Sequence, residues 1–320
     1  MRLFVTGATG YLGGAVVKAL LPDDQLRLLV RSSKGVRRVL SDPGIEIVEG
    51  DLLVQSSWEE ALKGCDGVAH LAALVQQGAS PRQFFAVNCD AFHHLADLCW
   101  KKGMETFLYA SSFIALGPTE PGANQSLWRA NPYAESKRRS LALARDYQKK
   151  GFPITTLIPT VLYGPGVRTE GNHVSPLLER LLRDRSILLP DRGKWIWNFS
   201  FIDDVAQGFR LALENGKGKE EYLLGGVSLS LEQFFASAAR LLGKNWETRS
   251  VSAGILKGCA VLEELIACVT RRPPRLTRAA LSVYRHDWDY RDKKAREELG
   301  YRTVSLEEGL KRTLDWLAEG

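Results

Sequence analysis

A tyrosine and a lysine stand four residues apart in Tyr133-Ala134-Glu135-Ser136-Lys137. On a helix that spacing stacks the two side chains on one face, a single turn apart. A free phenol has a pKa of about 10 and is a poor acid or base near neutrality. A neighbouring ammonium stabilises the phenolate and brings it into working range. The pair therefore reads as a proton-exchanging Tyr133 with Lys137 lowering its pKa, and Lys137 can also hydrogen-bond the ribose of a nicotinamide nucleotide. Leu108-Tyr109-Ala110-Ser111-Ser112 ends an apolar run, so two hydroxyls emerge where a strand stops. Either can polarise a substrate oxygen. Ser112 is taken for that role, with Ser111 as its alternative and as a cofactor contact.

Near the beginning of the chain, Thr6-Gly7-Ala8-Thr9-Gly10-Tyr11-Leu12-Gly13 follows the apolar run Leu3–Val5. Glycine lets the backbone turn at Gly7, approach a pyrophosphate at Gly10 and bring helix against strand at Gly13, while the helix N-terminus faces the negative charge. Thr9, Tyr11 and Leu12 sit in the same turn and count with the glycines as cofactor contacts. The run Leu26–Val30 ends in Arg31-Ser32-Ser33-Lys34, where an NAD site usually places an acid on the ribose hydroxyl. Arginine pairs with a 2′-phosphate, so NADP is favoured, with NAD possible. Gly50-Asp51-Leu52 offers Asp51 to the adenine amino group. In His70-Leu71-Ala72-Ala73 the small residues after a fourth run let the backbone close on the cofactor.

These residues need a scaffold, and the pattern supplies one. Leu3–Val5, Leu26–Val30, Ile45–Val48, Gly67–Leu71, Thr106–Ala110 and Ile154–Ile158 are continuous apolar runs, as strands of a parallel sheet covered on both faces are. Helices are expected between them at Gly13–Leu20, Ser57–Lys63, Pro81–Lys102 and Tyr133–Lys150. The fold class is α/β, a Rossmann-type doubly wound parallel sheet. Beyond Gly164-Pro165-Gly166 the pattern changes to a helix near Val174–Arg183, short strands near Ile187–Leu189 and Trp197–Ile202, a helix at Val205–Asn215 and a strand at Glu221–Leu224. The division expected is a dinucleotide-binding domain over residues 1–160 and a smaller substrate lobe over 161–320, with segments near 200–225 returning to the first sheet. The last third mixes helices with loops and a Pro273-Pro274 break.

Composition excludes several alternatives. The chain has 320 residues, 45% of them hydrophobic, and a formal net charge of +6. No stretch reaches the roughly 18 uninterrupted apolar residues of a membrane span; the nearest, Gly254–Val269, is broken by Lys257, Glu263 and Glu264. The first residues show no secretory leader. Cys65, Cys89, Cys99, Cys259 and Cys268 lack metal-ligand spacing and are odd in number, so no metal site is expected and the thiols are expected reduced, in a cytoplasmic protein. The clusters Lys137-Arg138-Arg139, Arg271-Arg272 and Lys293-Lys294 read as solvated helix faces and not as a nucleic-acid site, while the mild basic balance suits a polyanionic cofactor or a weak peripheral contact with an anionic membrane.

Taken in order, Thr6–Gly13, Asp51-Leu52, His70–Ala73, Asn88, Ser111-Ser112, Tyr133/Lys137, Tyr163-Gly164-Pro165-Gly166 and Phe201-Ile202-Asp203-Asp204-Val205 resemble the extended short-chain dehydrogenase/reductases, over nearly the whole chain. Within them Tyr109–Gly117 and His286–Leu310 are similar to the dihydroflavonol-reductase-like, farnesol-dehydrogenase-like subgroup. The resemblance implies that Asn88 supports the Lys137 ammonium, directly or through water, that Ile158-Pro159-Thr160 lies along the nicotinamide, that Asp203 and Asp204 form a hinge, and that a homodimer forms through 81–102 and 133–150. It implies an alcohol–carbonyl oxidoreductase in which Ser112 holds the substrate oxygen. Trp195, Trp197 and the apolar segment Ile255–Val269 point to a hydrophobic substrate such as an isoprenoid, a sterol or a flavonoid-like ring, with that segment as a lid or a membrane-grazing helix. Two other readings stand beside it: a nucleotide-sugar epimerase or dehydratase holding NAD, and a non-catalytic NADP-binding regulatory or assembly protein.

Overall fold

In a computed structural model that describes residues 1–34, 42–75, 78–123, 131–246, 249–270, 274 and 276–319, the six apolar runs form β1 (Arg2–Thr6), β2 (Gln25–Val30), β3 (Ile45–Glu49), β4 (Gly67–His70), β5 (Thr106–Ala110) and β6 (Ile154–Pro159). Later strands are β7 (Val161–Tyr163), β8 (Leu188–Pro190), β9 (Ile196–Phe201), β10 (Glu221–Leu224), β11 (Val227–Ser230) and β12 (Arg249–Val251). The main sheet runs β10-β6-β5-β4-β1-β2-β3, every pairing parallel. The late strand β10 thus returns to the sheet beside β6. A second sheet, β11-β9-β7, and a β12-β8 pair lie outside it. Arg271, Arg272 and Pro273 are outside the described residues.

Helices cover both faces, as continuous apolar strands require. On one side α1 (Tyr11–Leu20) packs with a later helix, Ile202–Asn215, over Leu3, Val5, Leu28, Leu108 and Leu157. The other side is closed by α2 (Pro81–Phe85), α3 (Ala91–Lys101) and α4 (Pro132–Lys149), which bury Phe92, Leu95 and Tyr147 against Phe4, Val68 and Phe107. Between α2 and α3 the chain widens into a π turn, Ala86–Asp90, that interrupts the single helix expected there. The helix expected at Ser57–Lys63 is instead two 3₁₀ turns, Gln55–Ser57 and Glu59–Leu62. Trp58 separates them at φ −141°, because its ring is buried and its indole donates to the Leu52 carbonyl at 3.2 Å, which a continuous α-helix would not allow.

The remaining α-helices among the described residues are α5 (Ser175–Leu182), α6 (Ile202–Asn215), α7 (Leu231–Leu241), α8 (Ala253–Thr270), α9 (Arg278–Val283) and α10 (Leu306–Glu319). Around the second sheet, Phe199, Phe201, Phe234, Trp197 and Trp288 form an aromatic core with α5, α7 and α10. Phe199 and Phe234 stack with centroids 4.0 Å apart. Trp197 is therefore core, whereas Trp195 is only partly buried at its edge.

Candidate active site

Strand order reverses between β1 and β4, and there the carboxyl ends stand level, Thr6 beside His70. Ligands of open α/β sheets bind at this point. Gly7 adopts φ +77°, and a Cβ on it would lie 2.5 Å from the Ala72 nitrogen; one on Gly13 would lie 2.0 Å from the Gly7 carbonyl oxygen. Gly10 closes the turn by donating to that same carbonyl at 2.9 Å. No side chain caps α1, so its first amides are left for an anion. This bare, tightly wound cradle fits a pyrophosphate.

The turn is fastened to β4 through buried polar groups. Thr6 Oγ1 and His70 Nδ1 are 2.8 Å apart, and the Ala72 amide donates to Thr6 Oγ1 at 3.4 Å. His70 is fully enclosed, and burial, aided by the Lys137 charge, pushes its pKa down to about 3. It is a neutral structural group at working pH. Leu71, Ala72 and Ala73 follow, partly exposed at the sheet's lip.

After β5 the Ser112 hydroxyl comes to the Tyr133 phenol, with Lys137 one helical turn further along α4. Asn131 caps α4, its Oδ1 accepting from the Tyr133 and Ala134 amides at 3.0 and 3.3 Å, and Pro132 occupies the first helical position. That cap sets the first turn and with it Tyr133. The Tyr133 phenol is pushed above its ordinary pKa by burial, against which a hydrogen bond with the Ser112 hydroxyl acts. Ser112 Oγ also accepts from the Ile114 amide at 3.4 Å. Lys137, one turn on and 3% exposed, donates from Nζ to the Ala110 carbonyl at 2.9 Å and to Tyr109 Oη at 3.5 Å. Its ammonium lies 5.2 Å from the centre of the Tyr109 ring. Burial lowers its pKa to about 8.

Lys137 rests on Ala110 and Tyr109, and in this structure burial is what raises the Tyr133 phenol. Asn88, in the π turn, makes its direct bonds elsewhere than Lys137: its Oδ1 accepts from the Leu74 amide at 2.7 Å, and its Nδ2 donates to the Leu74 carbonyl at 3.1 Å and to Ser136 Oγ at 2.9 Å. Both ends of the amide take part in stapling the segment after β4 to α4.

Other singled-out residues divide similarly. Tyr11 turns away from the cradle; its phenol donates to the Gly164 carbonyl at 2.8 Å, and what it offers an anion is backbone. Thr160 Oγ1 donates to Asn198 Oδ1 at 2.8 Å and meets Ser200, so its side chain is spent joining β6 to the second sheet, with Pro159 buried beside it. Thr9 is exposed and Leu12 half-buried on α1. Arg31 is exposed and has no hydrogen bond or ion pair among the described residues. Asp51 Oδ1 accepts from the Leu53 amide at 2.9 Å, a local turn beside half-buried Leu52. Ser111 is buried, its amide donating to the Leu157 carbonyl at 2.8 Å.

Sequence reasoning missed Tyr109 as a brace of this site, and it singled out His286–Leu310 as a packing segment without its contacts to the loop after Ser112. Tyr109 holds Lys137 and donates to Ser140 Oγ at 2.6 Å; a tyrosine in a buried strand gives no outward sign of that. The segment His286–Tyr290 lies along β9 and clamps the loop after Ser112: the Asp287 amide donates to Glu120 Oε2 at 2.9 Å, the Asp289 amide to Thr119 Oγ1 at 3.0 Å, and the Tyr290 phenol to the Gly117 carbonyl.

A model of the NAD dependent epimerase/dehydratase family matches residues 3–225, from β1 through β10. The chain belongs to that family. It is an NAD(P)-dependent enzyme of the extended short-chain dehydrogenase/reductase type, and its cofactor is a nicotinamide dinucleotide. A 4-hydroxy-2-methyl-3-oxo-4-farnesyl-3,4-dihydroquinoline-1-oxide ketoreductase from Stigmatella aurantiaca is 25% identical over 97% of this chain and 95% of that relative. Sterol demethylase protein B from Methylococcus capsulatus is likewise 25% identical, over 100% and 99%. Among solved structures, DesIV, a dTDP-glucose 4,6-dehydratase from Streptomyces venezuelae with NAD and TYD bound, superposes with a TM-score of 0.78 at 25% identity, covering 100% of this chain and 98% of its own. No described helix of this family member is long and apolar enough to cross a membrane.

Proposed function

We propose that this enzyme interconverts an alcohol and a carbonyl on a hydrophobic substrate, with Tyr133 exchanging the proton and Ser112 holding the substrate oxygen. One observation carries the reading: the Ser112 and Tyr133 hydroxyls meet at the sheet's carboxyl edge while a buried cation waits one helical turn away. A phenol pushed up by burial stays protonated at neutral pH, the state a donor to a carbonyl oxygen needs. Once the proton leaves, Lys137 is the nearby charge that stabilises the phenolate. Tyr109 and the Ala110 carbonyl keep that ammonium in place. The nicotinamide, when bound, supplies or accepts the hydride. Gly7, Gly10, Gly13 and the amides of α1 would hold its pyrophosphate, the backbone of Leu71–Ala73 would line it, and Ser111 and Pro159 would flank it. Asp51 through its other oxygen, with Leu52, would take the adenine end.

The hydrophobic character of the substrate draws on the farnesyl-bearing compound in the name of one relative and the sterol in another. Phe113, next to Ser112 and edge-on to Trp288 at 5.2 Å, puts aromatic surface where such a substrate would enter. Tyr133→Phe should keep dinucleotide binding and lose about 10²–10⁴-fold in turnover, read by thermal shift and by assay over a panel of apolar ketones and alcohols. Full turnover in that variant removes Tyr133 from the mechanism. Protein that carries stoichiometric NAD and converts a UDP-sugar without added cofactor establishes the nucleotide-sugar alternative instead.

NADP is the proposed form of the cofactor, supported by the exposed Arg31 immediately after β2, where an NAD site usually carries an acid. A ligand that binds the native state raises apparent stability by mass action. NADP should therefore raise Tm more than NAD does, and Arg31→Asp should abolish the difference; equal shifts in the wild type would contradict it.

A further inference from the structure

Helix α8 is built inside out. Ile255, Leu262, Leu265, Ile266 and Val269 are 62%, 58%, 60%, 47% and 86% exposed, whereas the side turned inward carries Ala260, fully buried, and Glu264, bonded to Arg278 at 2.8 Å. Ile255, Leu262, Ile266 and Val269 recur at intervals of seven, four and three, which on an α-helix is one stripe, with Leu265 on its flank. Gly258 and Cys259 fall within the same arc, so no charged residue interrupts it. Its principal neighbour is the short α9. An apolar stripe of this length facing solvent marks a contact surface.

Charge says what the contact is with. In sequence, residues 254–285 hold six basic side chains, Lys257, Arg271, Arg272, Arg275, Arg278 and Arg285, against two acidic ones, Glu263 and Glu264; Arg271, Arg272 and Arg275 lie outside the described residues, Arg278 pairs with Glu264 and Arg285 with Asp191. Four of the chain's net +6 charges thus fall on 32 of its 320 residues. A symmetric dimer would set this net-positive segment against its own copy, which like charge opposes. An anionic surface with an apolar interior satisfies both features. We propose that α8 and its basic flank dock this enzyme on an anionic lipid bilayer, lying in the interface and not spanning it.

The placement connects to the site without depending on which oxygen substrate it takes. The Ala279 carbonyl of α9 accepts from Asn131 Nδ2 at 3.4 Å, and Asn131 caps the helix that carries Tyr133. A docked α8 therefore sets α9 and the Tyr133 end of α4 beside the membrane.

Flotation with vesicles tests it on the intact enzyme. Vesicles of phosphatidylglycerol mixed with phosphatidylcholine should carry roughly tenfold more protein than phosphatidylcholine alone, and added salt should release it. Substituting Leu262→Gln with Ile266→Gln, both exposed positions, should abolish flotation while leaving Tm and the dinucleotide-induced Tm shift at wild-type values. Equal uptake by neutral and anionic vesicles, no uptake at all, or undiminished flotation of the double variant overturns the proposal. So does a wild-type dimer in sedimentation that the double variant dissolves, since a second copy would then own the stripe.

Discussion

Lys137 shows what the site costs the fold. Its pKa of about 8 means that below this value the folded chain keeps a charge where burial opposes one. The unfolded chain holds that proton up to about pH 10.4, so the penalty is complete at neutral pH and fades as pH climbs from about 8 to 10.4. Lys137→Met should accordingly raise Tm at pH 7 by about 2 °C, a gain that vanishes toward pH 10.4. The same variant should lose most of its turnover and part of its affinity for the dinucleotide. In the wild type, turnover should decline above about pH 8 as the ammonium discharges. A Tm that falls at pH 7 would mean that its bonds to Ala110 and Tyr109 outweigh the burial of its charge.

The strands were legible because each is an apolar run between turn residues, and the burial of both sheet faces leaves such runs uninterrupted. The glycine turn was equally plain, since the conformation of Gly7 and the contact at Gly13 admit little else. Side-chain partnerships were not. Asn88 sits in a π turn that no periodicity announces, and its amide serves the backbone of Leu74 where support for Lys137 was expected. Thr160 follows a strand end in the manner of a ligand residue, yet Asn198 and Ser200, about forty positions later, claim its hydroxyl. Trp58 broke an expected helix by burying its ring. Asn88→Ala should strand the Leu74 amide and carbonyl, while the Ser136 hydroxyl keeps its bond to the Tyr133 carbonyl, costing about 2–3 kcal/mol in urea unfolding. Because the staple positions the segment after β4, the KM for dinucleotide should rise more than kcat falls; a stability loss with unchanged KM would confine Asn88 to the fold.

The two sheets are joined where α6 leaves β9. Asp203 at that junction pairs with Arg312 of α10 at 2.6 Å, and Asp204, buried, accepts from the Val304 amide at 3.0 Å. Burial pushes the Asp204 carboxyl up to about 6. The folded chain therefore holds a proton that the unfolded chain releases near pH 4, and stability falls as pH rises from there to about 6. Asp204→Asn keeps the acceptor and removes the charge, so its Tm should exceed that of the wild type above pH 6 and match it below pH 4. A difference that ignores pH would assign the effect to packing.

The late return of β10 also orders events during synthesis. Tyr222 and Leu224 fill the core beside β6, but they are made 63 and 65 residues after Pro159 closes that strand. At translation rates of 5–20 residues per second the flank of β6 stays open for roughly 3–13 s. For that interval the emerging polypeptide presents a row of unsatisfied amides and carbonyls, the template on which neighbouring nascent chains associate. A message truncated between these points would release a product whose sheet can be completed only by another molecule.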